Sequence, residues 1–244
     1  MAPGGAADGA RPPLMLPLRD NVPTRSFPVM TVALIAANVL VWLWELTGSP
    51  WESDVVSYGF YPCTVSGPCL SEAGDPLSFP IAAFTSMFMH AGWEHIVGNM
   101  LFLWIFGNNV EDALGRLRFA GFYLLGGLAA TALQTAVTLG YGDPAGASIP
   151  NIGASGAVSA VLGAYIVLLP RASVLTWVFF VIREIRAFWF LGIWFGLQLF
   201  LGSQSLVQPA AGGGVAFFAH VGGFAFGMLA VRAFTIRRPL QPEY

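Results

Sequence analysis

Residues 153–170 read Gly153-Ala154-Ser155-Gly156 followed by AVSAVLGAYIVLLP. No acidic or basic side chain interrupts this run, and its apolar part approaches the roughly 20 residues that carry a helix across a bilayer at about 1.5 Å per residue. It is therefore read as a buried helix that opens on a serine. Five similar stretches lie at about 29–46, 91–109, 117–139, 187–205 and 215–233, making 154–170 the fourth of six expected spans. The composition agrees: the 244 residues are 56% hydrophobic and 10% charged, against about 25% charged in a soluble domain. The expected class is all-α, a polytopic membrane protein built as a six-helix bundle. The first stretch is too long for the apolar part of a cleaved secretory signal and lacks a clear cleavage site, so it is read as a retained helix.

Charge tests the topology. Arg11, Arg19 and Arg25 precede span one, Arg116 and Arg118 separate spans two and three, Arg171, Arg183 and Arg186 separate four and five, and Arg232, Arg237 and Arg238 close span six. Every basic residue falls on one side, which the positive-inside rule assigns to the cytoplasm. The expectation is a multi-pass protein of a bacterial cell membrane with both termini cytoplasmic. Residues 1–28, rich in Gly, Ala, Pro and Arg, are expected to form a disordered cytoplasmic tail. Residues 29–235 form the membrane domain and 236–244 a short cytoplasmic tail. The apolar stretch Val174–Ile182 is too short to cross again and is read as interfacial.

The outer loop at 47–90 is long and acidic, with Glu52, Asp54, Glu72 and Asp75. A loop of this length is expected to be functional or to carry its own structure. Trp51, Tyr58, Phe60 and Tyr61 suit a loop resting among lipid headgroups. Cys63 and Cys69 face an oxidising compartment in this topology; a disulfide and a pair of free thiols are both compatible with the spacing.

With these crossings, spans two, four and six all enter from the outside. His95 and Asn99 occupy the first turns of span two on one helical face, being four residues apart. Ser155 opens span four, and His220 lies about 7–8 Å into span six at helical rise. Ser155, Ser159 and Gly163 make a small-residue stripe, matched by His220, Gly223 and Gly227, and small residues let helices approach closely in a membrane. The imidazole of His220 is thereby expected within reach of the Ser155 hydroxyl. A serine needs a base to become a nucleophile, and neutral histidine is suited to that near pH 7. The oxyanion that forms needs donors aimed at it: the Asn99 amide, a ring N–H of His95 and the backbone N–H of Ser155. Spans four and six hold no Asp or Glu, so a Ser–His dyad without a carboxylate is expected.

Each element has an ordinary alternative when taken singly. Gly-x-Ser-Gly in an apolar helix packs helices, a lone histidine sits at an interface, and an asparagine bonds a neighbouring helix. Their convergence from three helices on one level favours a site. The motif is not a nucleophile elbow, since it lacks the second glycine spacing and a preceding strand. His90, Glu94 and His95 resemble an inverted zinc-protease motif, but histidines five apart are turned by about 140° on a helix. A zinc site from His90, His95 and His220 is the remaining metal alternative; no metal or other cofactor is expected.

The segment His90-Ala-Gly-Trp-Glu-His95-Ile-Val-Gly-Asn99, together with Gly153-Ala-Ser155-Gly156 and Ala219-His220-Val-Gly-Gly223, resembles the rhomboid family of intramembrane serine proteases over about residues 29–235. The resemblance implies a rhomboid-like bundle with Ser155 as nucleophile, His220 as general base, and His95 and Asn99 binding the oxyanion. It implies that His90 ties the outer loop, that Gly153 is the glycine before the serine, and that Gly107-Asn-Asn-Val-Glu111-Asp-Ala-Leu-Gly115 is the family's cytoplasmic turn, with Glu111 structural. Some members place a tyrosine one turn after the serine beneath the histidine; here it is Ser159, and the support of His220 is left open. Span five, with Trp189, Trp194 and Phe195, is similar to the helix thought to act as a lateral gate. The implied substrates are single-pass or polytopic membrane proteins, met in the lipid bilayer; no nucleic-acid partner is expected. The other readings are a catalytically silent rhomboid-like protein that binds transmembrane clients, and a transporter, against which the lack of mid-span charges and of paired broken helices argues.

Overall fold

The computed structural model describes residues 15–47, 57–67, 69, 77–142, 144–207 and 215–242. Trp51, Glu52, Asp54, Glu72 and Asp75 of the outer loop, and residues 1–14 of the expected tail, lie outside the described residues.

Six long helices occupy the six expected stretches: α1 (Val29–Thr47), α2 (Trp93–Leu114), α3 (Arg116–Tyr141), α4 (Ser155–Leu168), α5 (Ala187–Val207) and α6 (Phe217–Phe234). By length and apolar composition, α1, α3, α5 and α6 qualify as membrane spans. The other two fall short for visible reasons. Helix α4 has only 14 residues, and α2 carries Glu94, Glu111 and Asp112 within its length.

Helix α4 is the hub of the core. All its residues from Gly156 to Ile166 are buried, enclosed by α6, α3 and α2. The α4–α6 contact depends on missing side chains: a Cβ on Gly223 would lie 2.0 Å from the Gly156 carbonyl oxygen, and one on Gly227 2.0 Å from that of Ala160. The small-residue stripes thus do what their spacing predicts, bringing the two backbones together.

The end of the bundle that holds the arginines is closed by polar contacts. Acids at the C-terminal end of a helix oppose its dipole, yet α2 ends with Glu111 and Asp112. Each meets a donor there. Glu111 accepts from the backbone N–H groups of Met30 and Thr31 at 3.0 and 2.7 Å and from the Thr31 hydroxyl at 2.8 Å, capping the start of α1. Asp112 pairs with the Arg25 guanidinium. Gly115, at φ +77°, then turns the chain directly into α3.

One expectation is corrected at this end. The tail is not unstructured beyond residue 14: Met15–Asp20 forms β1, which pairs antiparallel with β2 (Ser173–Val178), itself paired with β3 (Val181–Arg186). Val174–Ile182 accordingly forms most of a β-hairpin whose tip holds exposed Phe179 and Phe180. Alternating burial along β2 explains why so short an apolar run finds a stable place beside the helices. Asp20 anchors the sheet to the bundle, accepting hydrogen bonds from Asn109 of α2 and Tyr165 of α4. The closing segment is also attached, since Ile236 and Arg237 donate to the Ala113 carbonyl.

The outer loop carries its own structure. Helical turns occur at Cys63–Ser66, Phe79–Thr85 and Ser86–Phe88, and Cys63 and Cys69 are joined in a disulfide. Phe60 and Asn151 exchange backbone hydrogen bonds, and Gly153 N–H donates to Ser86 O at 2.8 Å. The loop therefore holds the segment immediately before Ser155.

Candidate active site

Ser155 is the first residue of α4, so its backbone N–H is among those without an intrahelical acceptor. Its half-buried hydroxyl lines a cavity of about 630 Å³ shared by His95 and Asn99 of α2, Ser159 of α4 and His220 of α6. Five predicted residues from three helices thus meet in one space.

Asn99 is buried, and its Nδ2 finds no acceptor among the protein groups. Such an unpartnered amide is costly in a packed interior and is available to a ligand entering the cavity. His95 is oriented by its neighbour: Ala91 N–H donates to Nδ1 at 3.3 Å, which leaves the ring proton on Nε2. That nitrogen faces Gly153, where a Cβ would lie 2.6 Å from it and 3.7 Å from Ser155 Oγ. Gly153 also holds φ +119°, a conformation that L side chains rarely adopt. Glycine is needed here both for the backbone turn and for the room His95 takes.

His90 is not in the cavity. It is buried behind His95, ring centroids 5.1 Å apart, with Nδ1 bonded to the Phe88 carbonyl and its backbone N–H donating to a Glu45 carboxylate oxygen. Burial, reinforced by the neighbouring His95, pushes its imidazole from 6.5 down to about 4. Its bonds reach the segment before α2 and the end of α1. Ser159 turns away from chemistry: its hydroxyl donates to the Ser155 carbonyl at 2.6 Å. Among the described residues, no group of three or more His, Cys, Asp and Glu side chains is disposed to hold a metal ion.

No hydrogen bond joins Ser155 Oγ to His220. Instead His220 Nδ1 meets Gln198 Oε1 of α5 at 2.8 Å, and the Trp194 ring lies 6.0 Å from the imidazole centroid. Gln134 Oε1 accepts from the Ala219 backbone N–H beside it. Neither glutamine is among the residues expected from sequence. Gln198 had a readable signal: it lies seven residues from the outer end of span five, about 10 Å at helical rise, close to the level expected for His220.

A helical bundle with four membrane-length apolar helices thus gathers a serine, two histidines and an unpartnered amide around one cavity. The chain belongs to the rhomboid family, whose domain matches residues 80–237, more than half of it. It is 33% identical over 157 residues to "Rhomboid protein 1, mitochondrial" of Saccharomyces cerevisiae, an alignment covering 64% of this chain and 42% of the relative. It is 36% identical over 87 residues to "Presenilin-associated rhomboid-like protein A, mitochondrial" of Danio rerio, covering 36% and 22%. With "RHOMBOID-like protein 1" of Arabidopsis thaliana it shares 30% over 162 residues, covering 66% and 35%. The chain therefore spans less than half the length of these relatives. Two of the names are mitochondrial, in conflict with the bacterial compartment expected from sequence; the chain itself is a membrane protein with several apolar helices.

Proposed function

We propose that this protein is an intramembrane serine endopeptidase acting on transmembrane segments of other membrane proteins. The observation that carries the reading is the meeting of Ser155, His220, the proton-bearing face of His95 and the unpartnered Asn99 amide around one cavity. Ser155 Oγ attacks the scissile carbonyl as His220 Nε2 takes its proton. The charge developing on the carbonyl oxygen is met by Asn99 Nδ2–H, His95 Nε2–H and the Ser155 backbone N–H. Collapse of the tetrahedral intermediate expels the amine, which receives the proton held by His220. Water then repeats the sequence on the acyl-enzyme. Since Nδ1 of His220 meets an amide oxygen, the catalytic unit is a Ser–His dyad rather than a carboxylate-bearing triad.

All six helices cross the bilayer in this proposal, with residues 29–235 as the membrane domain. Both termini lie on the arginine-bearing side, the cytoplasm if the host membrane is bacterial. Helix α4, 14 residues long, spans about 21 Å of a hydrocarbon layer about 30 Å thick. Ser155 then sits several ångströms below the outer face, and the cavity above it brings water to that depth. A substrate helix must unwind to expose a peptide bond, and freed backbone groups are expensive in lipid. Segments with Gly or Pro, single-pass or polytopic, are the favoured class.

A second reading, a catalytically silent binder of transmembrane clients, draws on one observation, the missing Ser155–His220 hydrogen bond. Catalytic hydrogen bonds are often long without substrate and tighten in the reacting complex, so this does not count against the enzyme. The deciding experiment is cleavage of a glycine-containing transmembrane reporter by the purified protein in liposomes. Cleavage abolished by Ser155→Ala, with thermal unfolding unchanged, is the expected result; equal cleavage by the variant would refute the assignment.

A further inference from the structure

In this chain the general base has no aromatic ring one turn after the serine to rest on, because that position is Ser159, whose hydroxyl is committed to the Ser155 carbonyl. Two side chains of α5 meet the His220 ring. Gln198 Oε1 lies 2.8 Å from Nδ1, and Trp194, one helical turn earlier on the same face, places its ring 6.0 Å from the imidazole. An amide oxygen only accepts hydrogen bonds, so Nδ1 carries the proton. Which nitrogen of a histidine is protonated is set by the bond the other one makes.

We propose that Gln198 is the positioning residue of the general base. Resting on the dyad assigned above, the proposal gives its Oε1 two tasks. It fixes the neutral imidazole in the tautomer whose Nε2 lone pair is free for the Ser155 proton. It also accepts a stronger hydrogen bond once that proton arrives and the ring becomes cationic, since bonds from ionised donors are roughly twice as strong as neutral ones.

The position of Gln198 adds a consequence. Between Gly192 and Leu201 no residue of α5 is buried, whereas the helices bearing Ser155 and His220 are locked by glycine contacts. The nucleophile and the ring are therefore held by the rigid part of the bundle, while the ring's orientation is set by its most weakly embedded helix. The base is correctly aimed only while α5 is seated against α6.

The test uses the full chain in detergent and a fluorophosphonate probe, which reports serine activation without a known substrate. The rate constant of inactivation and the half-saturating probe concentration are measured separately for wild type, Gln198→Met and Gln198→Glu. Methionine preserves the length and removes the acceptor; glutamate restores an acceptor oxygen. The expected result is an inactivation rate constant lowered about tenfold or more in Gln198→Met, with unchanged half-saturation and with the rate recovered in Gln198→Glu. Wild-type rates in Gln198→Met would overturn the proposal. So would equal losses in both variants, which mark Gln198 as merely structural. If the methionine variant does not fold, Gln198→Asn, too short to reach the ring, is expected to show the same loss, and a wild-type rate there overturns the proposal equally. Absence of labelling in the wild type itself would instead bring down the dyad.

Discussion

The two ends of the helix bundle are built on opposite rules. At the arginine-bearing end the polar groups described above are paired: Glu111 caps α1 with three hydrogen bonds, Asp112 meets Arg25, and Asp20 holds Asn109 and Tyr165. At the other end a cavity of about 630 Å³ opens beside an amide with no acceptor and a serine hydroxyl with no hydrogen bond, although both lie on the best-packed helices of the molecule. One end spends its polar groups on stability and the other leaves them open to the cavity. A buried polar group left unpaired costs about 1–3 kcal/mol, so the outer end persists because glycine contacts elsewhere supply the rigidity.

That contrast can be broken from either side. The largest expected effect is on chemistry. Asn99→Ala should lower cleavage by about 10²–10³ while leaving thermal unfolding unchanged or slightly improved, because it removes an unsatisfied group; turnover and melting measured on one preparation check both. Glu111→Ala should do the reverse. Two backbone N–H groups lose their acceptor, and stability should fall by roughly 2–3 kcal/mol, read from denaturant unfolding in micelles, with the cleavage rate of the folded fraction retained.

A subtler effect separates the two ends by the sign of their pH dependence. Burial raises the Asp20 carboxyl from 3.8 to about 6, the hydrogen bond from Tyr165 only partly offsetting it. The folded protein therefore holds that proton more tightly than the unfolded chain, and the stability it contributes is lost as pH rises from about 4 through about 6. His90, lowered from 6.5 to about 4, acts in the other direction: its contribution is present above pH 6.5 and lost as pH falls toward 4. The two slopes oppose each other between pH 4 and 6. Asp20→Asn should leave a melting temperature that rises with pH across this window, and His90→Gln one that falls; identical profiles in both variants would show that the ends are not distinguished in this way.

How far the sequence reveals this arrangement depends on what each residue does. The six helices are legible because long apolar runs can be little else, and α1 over Val29–Thr47 differs from the expected 29–46 by one residue. Helix α2 runs on to Leu114, past the expected end at 109, because Glu111 and Asp112 look like loop residues until their partners Thr31 and Arg25 are seen. The sheet was not legible. Its first strand, MLPLRD, contains a proline and two charges, and only pairing with β2 gives it a reason to be extended. Ser155, His95, Asn99 and His220 could be gathered from spacing and side counting, since polar residues at one depth are rare. Gln198 could not be assigned a role so simply, because hydropathy registers that an amide is out of place but not which ring it supports.

The central claim is that His220 activates Ser155 inside the bundle. Its most direct measurement is peptide-level mass spectrometry of the protein after fluorophosphonate treatment, for wild type and His220→Ala side by side. The account predicts a phosphonyl adduct on Ser155 in the wild type and none, or a trace, in the variant. An adduct of equal yield in both, or no adduct on Ser155 in the wild type, would contradict it.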